Sequence, residues 1–361
     1  MKKYPILLML MAAVFACRGE SQTLKPVEPA KNVSVSLLRS DWKTLVEQRK
    51  KMEYNKGEMK KNLHFPLAVN LKWEGGKPPF TLEITGSGNA GQYRIEKIAV
   101  RSFRVVNLMT ATEYEWSVSD AGGNRVKNAF RTLPGARLIE LPDRECGPVN
   151  LRDLGGRISK FGGRVRQGLI YRGSALNTPR RFSEKNRLFM VGELKIKTDL
   201  DLRYPKQVVK EKQSGIGLLG SGVKWIHCPV NAYKSFTPEQ NELFRDTIRI
   251  FAQKENYPVY LHCAGGVDRT GEISFLLNAI AGVSDEDLLE EYELSSLSLY
   301  PRPRTIPYFR TWLKGIASFS DAGKPFSEQV EQYLLKIGLS REELDRIREN
   351  LLDRNSRPGT K

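Results

Sequence analysis

The chain has 361 residues, 40% of them hydrophobic, with 15 Phe, 13 Tyr and 5 Trp. That length and apolar content are enough for two domains with buried cores, and they exclude a chain that is disordered throughout. A net charge of +17 favours anionic partners, among them phosphate groups, acidic lipid surfaces and nucleic acid. Nucleic acid is set aside, because no zinc-finger spacing, RNA-binding aromatic signature or long Lys/Arg run accompanies the charge.

The chain opens Met1-Lys2-Lys3 and runs apolar from Ile6 to Phe15. Such a run is too short to span a bilayer and suits the core of a secretory leader. It ends Val14-Phe15-Ala16-Cys17, which resembles a bacterial lipobox. The expectation is a signal peptide over 1–16 and a lipid on Cys17, which makes the chain a lipoprotein of the bacterial cell envelope, in the periplasm or at the surface. Acyl chains, rather than a transmembrane helix, would hold it to the membrane. An ordinary cleaved leader is the alternative. Residues 17–62 are expected to be a tether, polar and proline-bearing at first. The stretch around Trp42, Leu45, Val46 and Met52 fits either a short amphipathic helix or a solvated segment.

From 63 to 134 the pattern changes to short alternating runs, at 67–73, 80–85, 102–106 and 113–118. Glycine turns separate them at Gly75-Gly76, Gly86 to Gly88 and Gly122-Gly123. This predicts an antiparallel β-sandwich. The run from Leu108 through Tyr114 and Trp116 resembles the tyrosine-corner strand of fibronectin type III domains, and Phe130 to Pro134 resembles such a domain's exit. No catalytic constellation occurs there.

The remainder, 137–353, predicts an α/β domain. Strands are expected over Lys197–Leu202, Val223–Val230 and Val259–His262. Thr237-Pro238-Glu239-Gln240, Ser284 to Asp287 and Ser340 to Glu343 carry helix-start signals, and Leu344, Ile347 and Leu351 form an apolar stripe. Between the strand ending at His262 and a helix expected from Thr270 to Ala281 lies Cys263-Ala264-Gly265-Gly266-Val267-Asp268-Arg269. A glycine-bearing loop at a helix N-terminus aims several N–H groups at one point, where an anion is stabilised. The same field would lower the pKa of Cys263, and Arg269 would present a planar fork to two phosphate oxygens. A zinc site lacks a second Cys or His at ligand spacing, and a dinucleotide fold lacks its glycine fingerprint.

This Cys-x5-Arg-Thr loop resembles the signature of the cysteine-dependent protein-tyrosine phosphatase superfamily. Cys146 to Gly156, Arg166 to Ser174, Thr198 to Arg203, Glu291 to Ser295 and Tyr333 to Ser340 resemble one branch of it, the bacterial tyrosine/serine phosphatases. The resemblance implies a central sheet flanked by helices, here preceded by the small all-β sandwich. It also implies a two-step phosphoryl transfer through a cysteinyl-phosphate. Cys263 is then the nucleophile, and Arg269 with the backbone of Ala264, Gly265, Gly266, Val267, Asp268 and Arg269 binds the phosphate. Thr270 assists the sulfur, His262 orients the loop, and Arg152 and Asp153 of the opening block support it. No metal or cofactor is called for.

The proton donor is less direct. Asn231, in the stretch where much of the superfamily carries an acidic residue, cannot donate as a carboxylic acid. Asp268 and Asp201 remain, and the resemblance favours Asp268. Val267 stands where phosphoinositide-active members usually carry Lys. The expected substrate is a phosphorylated protein or peptide, with phosphotyrosine first and inositol phosphates or phosphoinositides as the alternative. A pseudophosphatase that only binds phosphate and a rhodanese-type sulfurtransferase are the remaining readings. Cys146 and Cys228 are left either as free thiols, as partners of each other, or as partners of Cys263.

Overall fold

A computed structural model describes residues 23–51, 63–234, 236–299 and 306–354. The leader and Cys17 lie outside the described residues, and the rest fall into two units. The smaller comprises the described residues up to Arg39 together with Pro66–Gly135, and the larger comprises Ser40–Phe65 and the chain from Ala136 onward. Among the described residues no helix is long and apolar enough to cross a membrane.

The smaller unit is a sandwich of β1 (Lys25–Glu28), β2 (Val33–Val35), β3 (Val69–Glu74), β4 (Phe80–Gly86), β5 (Gln92–Ile98), β6 (Ser102–Val105), β7 (Glu113–Ser119) and β8 (Arg125–Thr132). Its sheets have the orders β1-β3-β6 and β2-β8-β7-β4-β5. Period-two alternation turns Val69, Leu71 and Trp73 of β3 and Phe80, Leu82 and Ile84 of β4 into one shared core. Trp73 meets Trp116 of β7 with ring centroids 6.4 Å apart. The Tyr114 hydroxyl accepts the N–H of Met109 at 2.8 Å, which closes a tyrosine corner.

The tether expectation is corrected here. β1 pairs with β3, and β2 pairs in parallel with β8. Both are mostly exposed edge strands, so they lack the hydrophobic face by which a strand announces itself in sequence. Beyond them, α1 (Trp42–Lys51) belongs to the larger unit. Arg49 donates to the carbonyls of Ser296 at 2.6 Å and Ser298 at 3.0 Å, and the Leu63 N–H donates to Leu297 O at 2.9 Å.

The larger unit is built on a sheet of order β14-β13-β15-β12-β10-β9, formed by β9 (Arg137–Leu138), β10 (Arg152–Asp153), β12 (Ile170–Ser174), β13 (Thr198–Asp201), β14 (Lys224–His227) and β15 (Val259–Cys263). β12 to β15 run parallel, and β9 and β10 are antiparallel additions. A second, two-stranded sheet pairs β11 (Arg164–Val165) with β16 (Leu352–Asp353). The helices are α2 (Glu184–Gly192), α3 (Val209–Ser214), α4 (Pro238–Arg249), α5 (Asp268–Ile280), α6 (Asp285–Glu293), α7 (Ile306–Ala317), α8 (Phe326–Lys336) and α9 (Arg341–Leu351).

The cap signals operate as read. Thr237 and Ser284 accept N–H groups of Gln240 and Asp287, and Ser340 and Glu343 cap each other reciprocally. Helix α5 starts two residues earlier than expected, and it is buried from Arg269 through Ile280. It is the central pillar of the unit, so the loop that precedes it is fixed from below.

Candidate active site

The parallel strands end together, and the register sets Ser174 beside Cys263 and Asp201 beside His262. Between Cys263 and the first turn of α5 the chain must reverse within residues 264–267. Gly266 permits this with φ at +65°, and a Cβ there would lie 2.2 Å from the Gly173 carbonyl carbon. A left-handed backbone and a contact with the next strand both require glycine. The N–H groups of Ala264, Gly265, Gly266 and Val267 have no protein acceptor among the described residues. With the open first turn of α5 they form a set of donors at a helix N-terminus.

Cys263 is 2% exposed. Burial opposes its ionisation. The Arg269 guanidinium, followed by the Thr270 hydroxyl and N–H, outweighs it and lowers the thiol pKa. The Thr270 hydroxyl is buried and interacts with the sulfur. Arg269 is set by the segment after β13. Its Nη1 donates to Leu202 O at 2.8 Å, and its guanidinium carbon lies 4.4 Å from the Tyr204 ring centroid. The other arm of the fork has no protein partner among the described residues and can bind an oxyanion.

The loop is braced from behind by buried charge. Gly266 O accepts from Asn150 Nδ2 at 2.7 Å and from Arg172 Nη2. Arg172 Nη1 donates to both carboxylate oxygens of Glu291, at 3.0 and 2.9 Å, and Arg152 Nε donates to the same carboxylate at 2.7 Å. Arg152 Nη1 also reaches Asn150 Oδ1 at 2.5 Å, and Arg152 Nη2 reaches Ser295 Oγ at 3.1 Å. Asn150 takes φ of +60°, a region that its short amide tolerates better than most side chains. Burial opposes the Glu291 charge, but Arg152 and Arg172 overcome it and keep the carboxylate ionised. Arg152 is itself lowered to about 9 by burial and by Arg172. Two guanidinium groups against one carboxylate leave a net positive charge directly behind the loop.

The expected acids separate. Asp268 is at the loop mouth, where its Oδ1 accepts from the Tyr233 hydroxyl at 2.6 Å. Asp201 is 0% exposed and clamped by Arg203, whose Nη2 lies 2.7 Å from Oδ2 and whose N–H lies 2.9 Å from Oδ1. Burial would raise its pKa, yet His262 and Arg203 bring it down to about 2. Of the two candidate acids, Asp268 is the one at the loop mouth, and Asp201 is a buried anchor, as suits the supporting residue that the resemblance implies. Asp201 holds Arg203, which lies between Leu202 and Tyr204, the two residues that seat Arg269.

His262 is buried beside Asp199 and Asp201, with Nε2 2.9 and 3.9 Å from their oxygens. The closer contact is not aligned as a hydrogen bond, so the attraction is mainly between charges. Burial disfavours the imidazolium, and the two aspartates raise its pKa. Asp153 is not brought to the loop. It pairs with Arg137 at 2.8 Å and accepts the N–H groups of Gly155 and Gly168, so it fastens the opening block instead. Cys146, Cys228 and Cys263 are free thiols. Burial raises the pKa of Cys228, and a hydrogen bond to Asp143 raises that of Cys146. Cys263 is alone among these three in being tuned toward thiolate.

Sequence reasoning assigned no role to Asn150, Arg172, Glu291, Ser295, Tyr233 or Glu272. Arg172 offered one signal, an arginine inside the strand run Ile170–Ser174 that is buried throughout. Glu291 and Ser295 bound a block that resembles the phosphatase branch, but that resemblance named no role for either residue.

Similarity to known proteins agrees with this geometry. A family model described as "Tyrosine phosphatase family" matches residues 146–353, more than half of the chain. A Cupriavidus necator protein that carries the name of a tyrosine-protein phosphatase is 28% identical over 168 residues, which cover 40% of this chain and 59% of that protein. The match thus spans less than two thirds of that relative. Among solved structures, the core catalytic domain of the PP-IP phosphatase SIW14 from S. cerevisiae, in complex with citrate, is 22% identical, with a TM-score of 0.29 over 41% of this chain and 86% of that one. A second structure of the SIW14 catalytic core is 19% identical, with a TM-score of 0.31 over 53% of this chain and 92% of that one. With Cys263, the loop that follows it and Arg269 all inside the matched residues, this chain belongs to the tyrosine phosphatase family.

Proposed function

We propose that the chain hydrolyses phosphate monoesters through a cysteinyl-phosphate on Cys263, with phosphotyrosine in proteins or peptides as its substrate class. The observation that carries this reading is the thiol lowered by Arg269 and Thr270 at the focus of unpaired N–H groups. In the first step the thiolate attacks phosphorus in line, the bond to the leaving oxygen breaks, and Arg269 and the loop N–H groups hold the equatorial oxygens. In the second, water attacks phosphorus and the sulfur leaves as thiolate, eased by Thr270. Asp268 exchanges the protons at both steps.

Two features support an aryl phosphate. The nucleophile is nearly fully buried, which favours a long stem between phosphate and peptide backbone. The Tyr204 ring, lying over Arg269, offers an aromatic face beside the phosphate. The test compares phosphotyrosyl and phosphoseryl peptides, inositol phosphates and phosphoinositides by kcat/KM. Phosphotyrosyl peptides are expected to lead, and an inositol phosphate leading by tenfold or more would overturn the substrate assignment. Cys263→Ser is expected to lower turnover of p-nitrophenyl phosphate by about 10³-fold or more.

Two proposals concern the rest of the chain. The smaller unit is read as a fibronectin type III-like module, on the strength of its sheet orders and the Tyr114 corner. A lipid on Cys17 and a place in the cell envelope are proposed from sequence alone. Metabolic labelling with a fatty acid, lost in Cys17→Ala, checks them.

A further inference from the structure

Tyr233 is a bulky residue held at φ of +57°, in the left-handed region, and such a conformation persists only where the surroundings impose it. Both ends of the residue are tied to the first two turns of α5. Its N–H donates to Glu272 Oε1 at 2.8 Å, and its hydroxyl lies 2.6 Å from Asp268 Oδ1 and 2.5 Å from the Tyr292 hydroxyl. Among the described residues, the charged and titratable groups around Asp268 include Tyr233 and Tyr292 from outside the helix, Cys263 at the end of β15, and Arg269 and Glu272 of α5 itself. Burial, then Tyr292 and Asp268, keep the Tyr233 phenol protonated. Its hydrogen points to the carboxylate, and Tyr292 donates to the Tyr233 oxygen in turn. Hydrogen bonds in such a chain strengthen one another.

We infer that Tyr233 is a positioning residue that orients Asp268 as the base of the second half-reaction. The inference rests on the cysteinyl-phosphate reading above. The hydroxyl hydrogen bond on Oδ1 holds the Asp268 carboxylate at the loop mouth in one orientation, from which it can take a proton from the attacking water. That water gives its proton to Asp268 as its oxygen bonds to phosphorus. The S–P bond breaks, the electron pair returns to Cys263 as thiolate, and inorganic phosphate leaves. The first step with a good leaving group needs no such base.

Pre-steady-state kinetics with p-nitrophenyl phosphate test this. In Tyr233→Phe, kcat and KM should fall together by about tenfold while kcat/KM stays within about twofold of wild type. A burst of p-nitrophenolate close to one equivalent should appear as phosphoenzyme accumulates. Tyr292→Phe, which leaves the Tyr233–Asp268 contact in place, should shift the same parameters in the same direction by less. A fall in kcat/KM equal to that in kcat, or no change at all, would overturn the role of Tyr233. Turnover that persists in Cys263→Ser would instead overturn the parent reading.

Discussion

The two units treat charge in opposite ways. In the β-sandwich, the pairs of Glu83 with Arg94 and with Arg125 lie on the sheet surface, where the two arginine side chains are 51% and 49% exposed. Its centre is aromatic and aliphatic, built on Trp73, Phe80, Leu82 and Trp116. In the larger unit the corresponding depth holds Arg152, Arg172 and Glu291 behind the loop, and Asp199, Asp201, His262 and Glu272 beside it. Buried ion pairs are poor sources of stability, because desolvation offsets most of their attraction. A fold that retains them so close to one loop uses them to aim that loop. The aim is electrostatic as well as geometric, since the group behind Gly266 O carries net positive charge.

Breaking the buried network should therefore cost far more than breaking the surface pairs. Glu291→Gln leaves two buried guanidinium groups without their carboxylate, and a loss of about 3–5 kcal/mol in urea unfolding is expected. Asp201→Asn should cost about 3 kcal/mol at neutral pH by the same mechanism. Because the folded pKa of Asp201, about 2, lies below its ordinary 3.8, the contribution is fully present above pH 3.8 and disappears as pH falls through 2. The wild-type and Asp201→Asn stability curves should therefore converge in strong acid. Arg269→Lys keeps the charge and loses the fork, and kcat for p-nitrophenyl phosphate should drop by about 10²–10³-fold.

Glu272 gives an effect of opposite sign. Burial, against a single N–H from Tyr233, pushes its pKa well above the ordinary 4.5, so the folded protein loses stability as pH rises past that value. Glu272→Gln should raise the melting temperature at pH 7 and flatten that dependence, while preserving the acceptor for Tyr233. At the other end, Glu83→Gln on the sandwich surface should give no resolvable shift in melting temperature. A large shift there would break the contrast between the units.

What was legible in the sequence follows the same division. The loop from Cys263 to Thr270 could be read because its chemistry is written in consecutive residues, and the helix caps because each spans four. Its supports could not be read, since Gly266 O meets a side chain 116 positions away, and Asn150 and Arg172 reach it from the segment before β10 and from the middle of β12. Asp201 looked like an acid because composition does not show that Arg203 closes on it. The edge strands over 25–28 and 33–35 carried no apolar face, so they resembled a tether.

The central claim, that Cys263 carries the phosphoryl group, is tested most directly by rapid acid quench during turnover of a phosphotyrosyl peptide, followed by mass mapping of the enzyme. Phosphate on the peptide that contains Cys263, absent in Cys263→Ser, is the predicted result. Turnover without any phosphate on Cys263, or turnover that survives in Cys263→Ser, would contradict it.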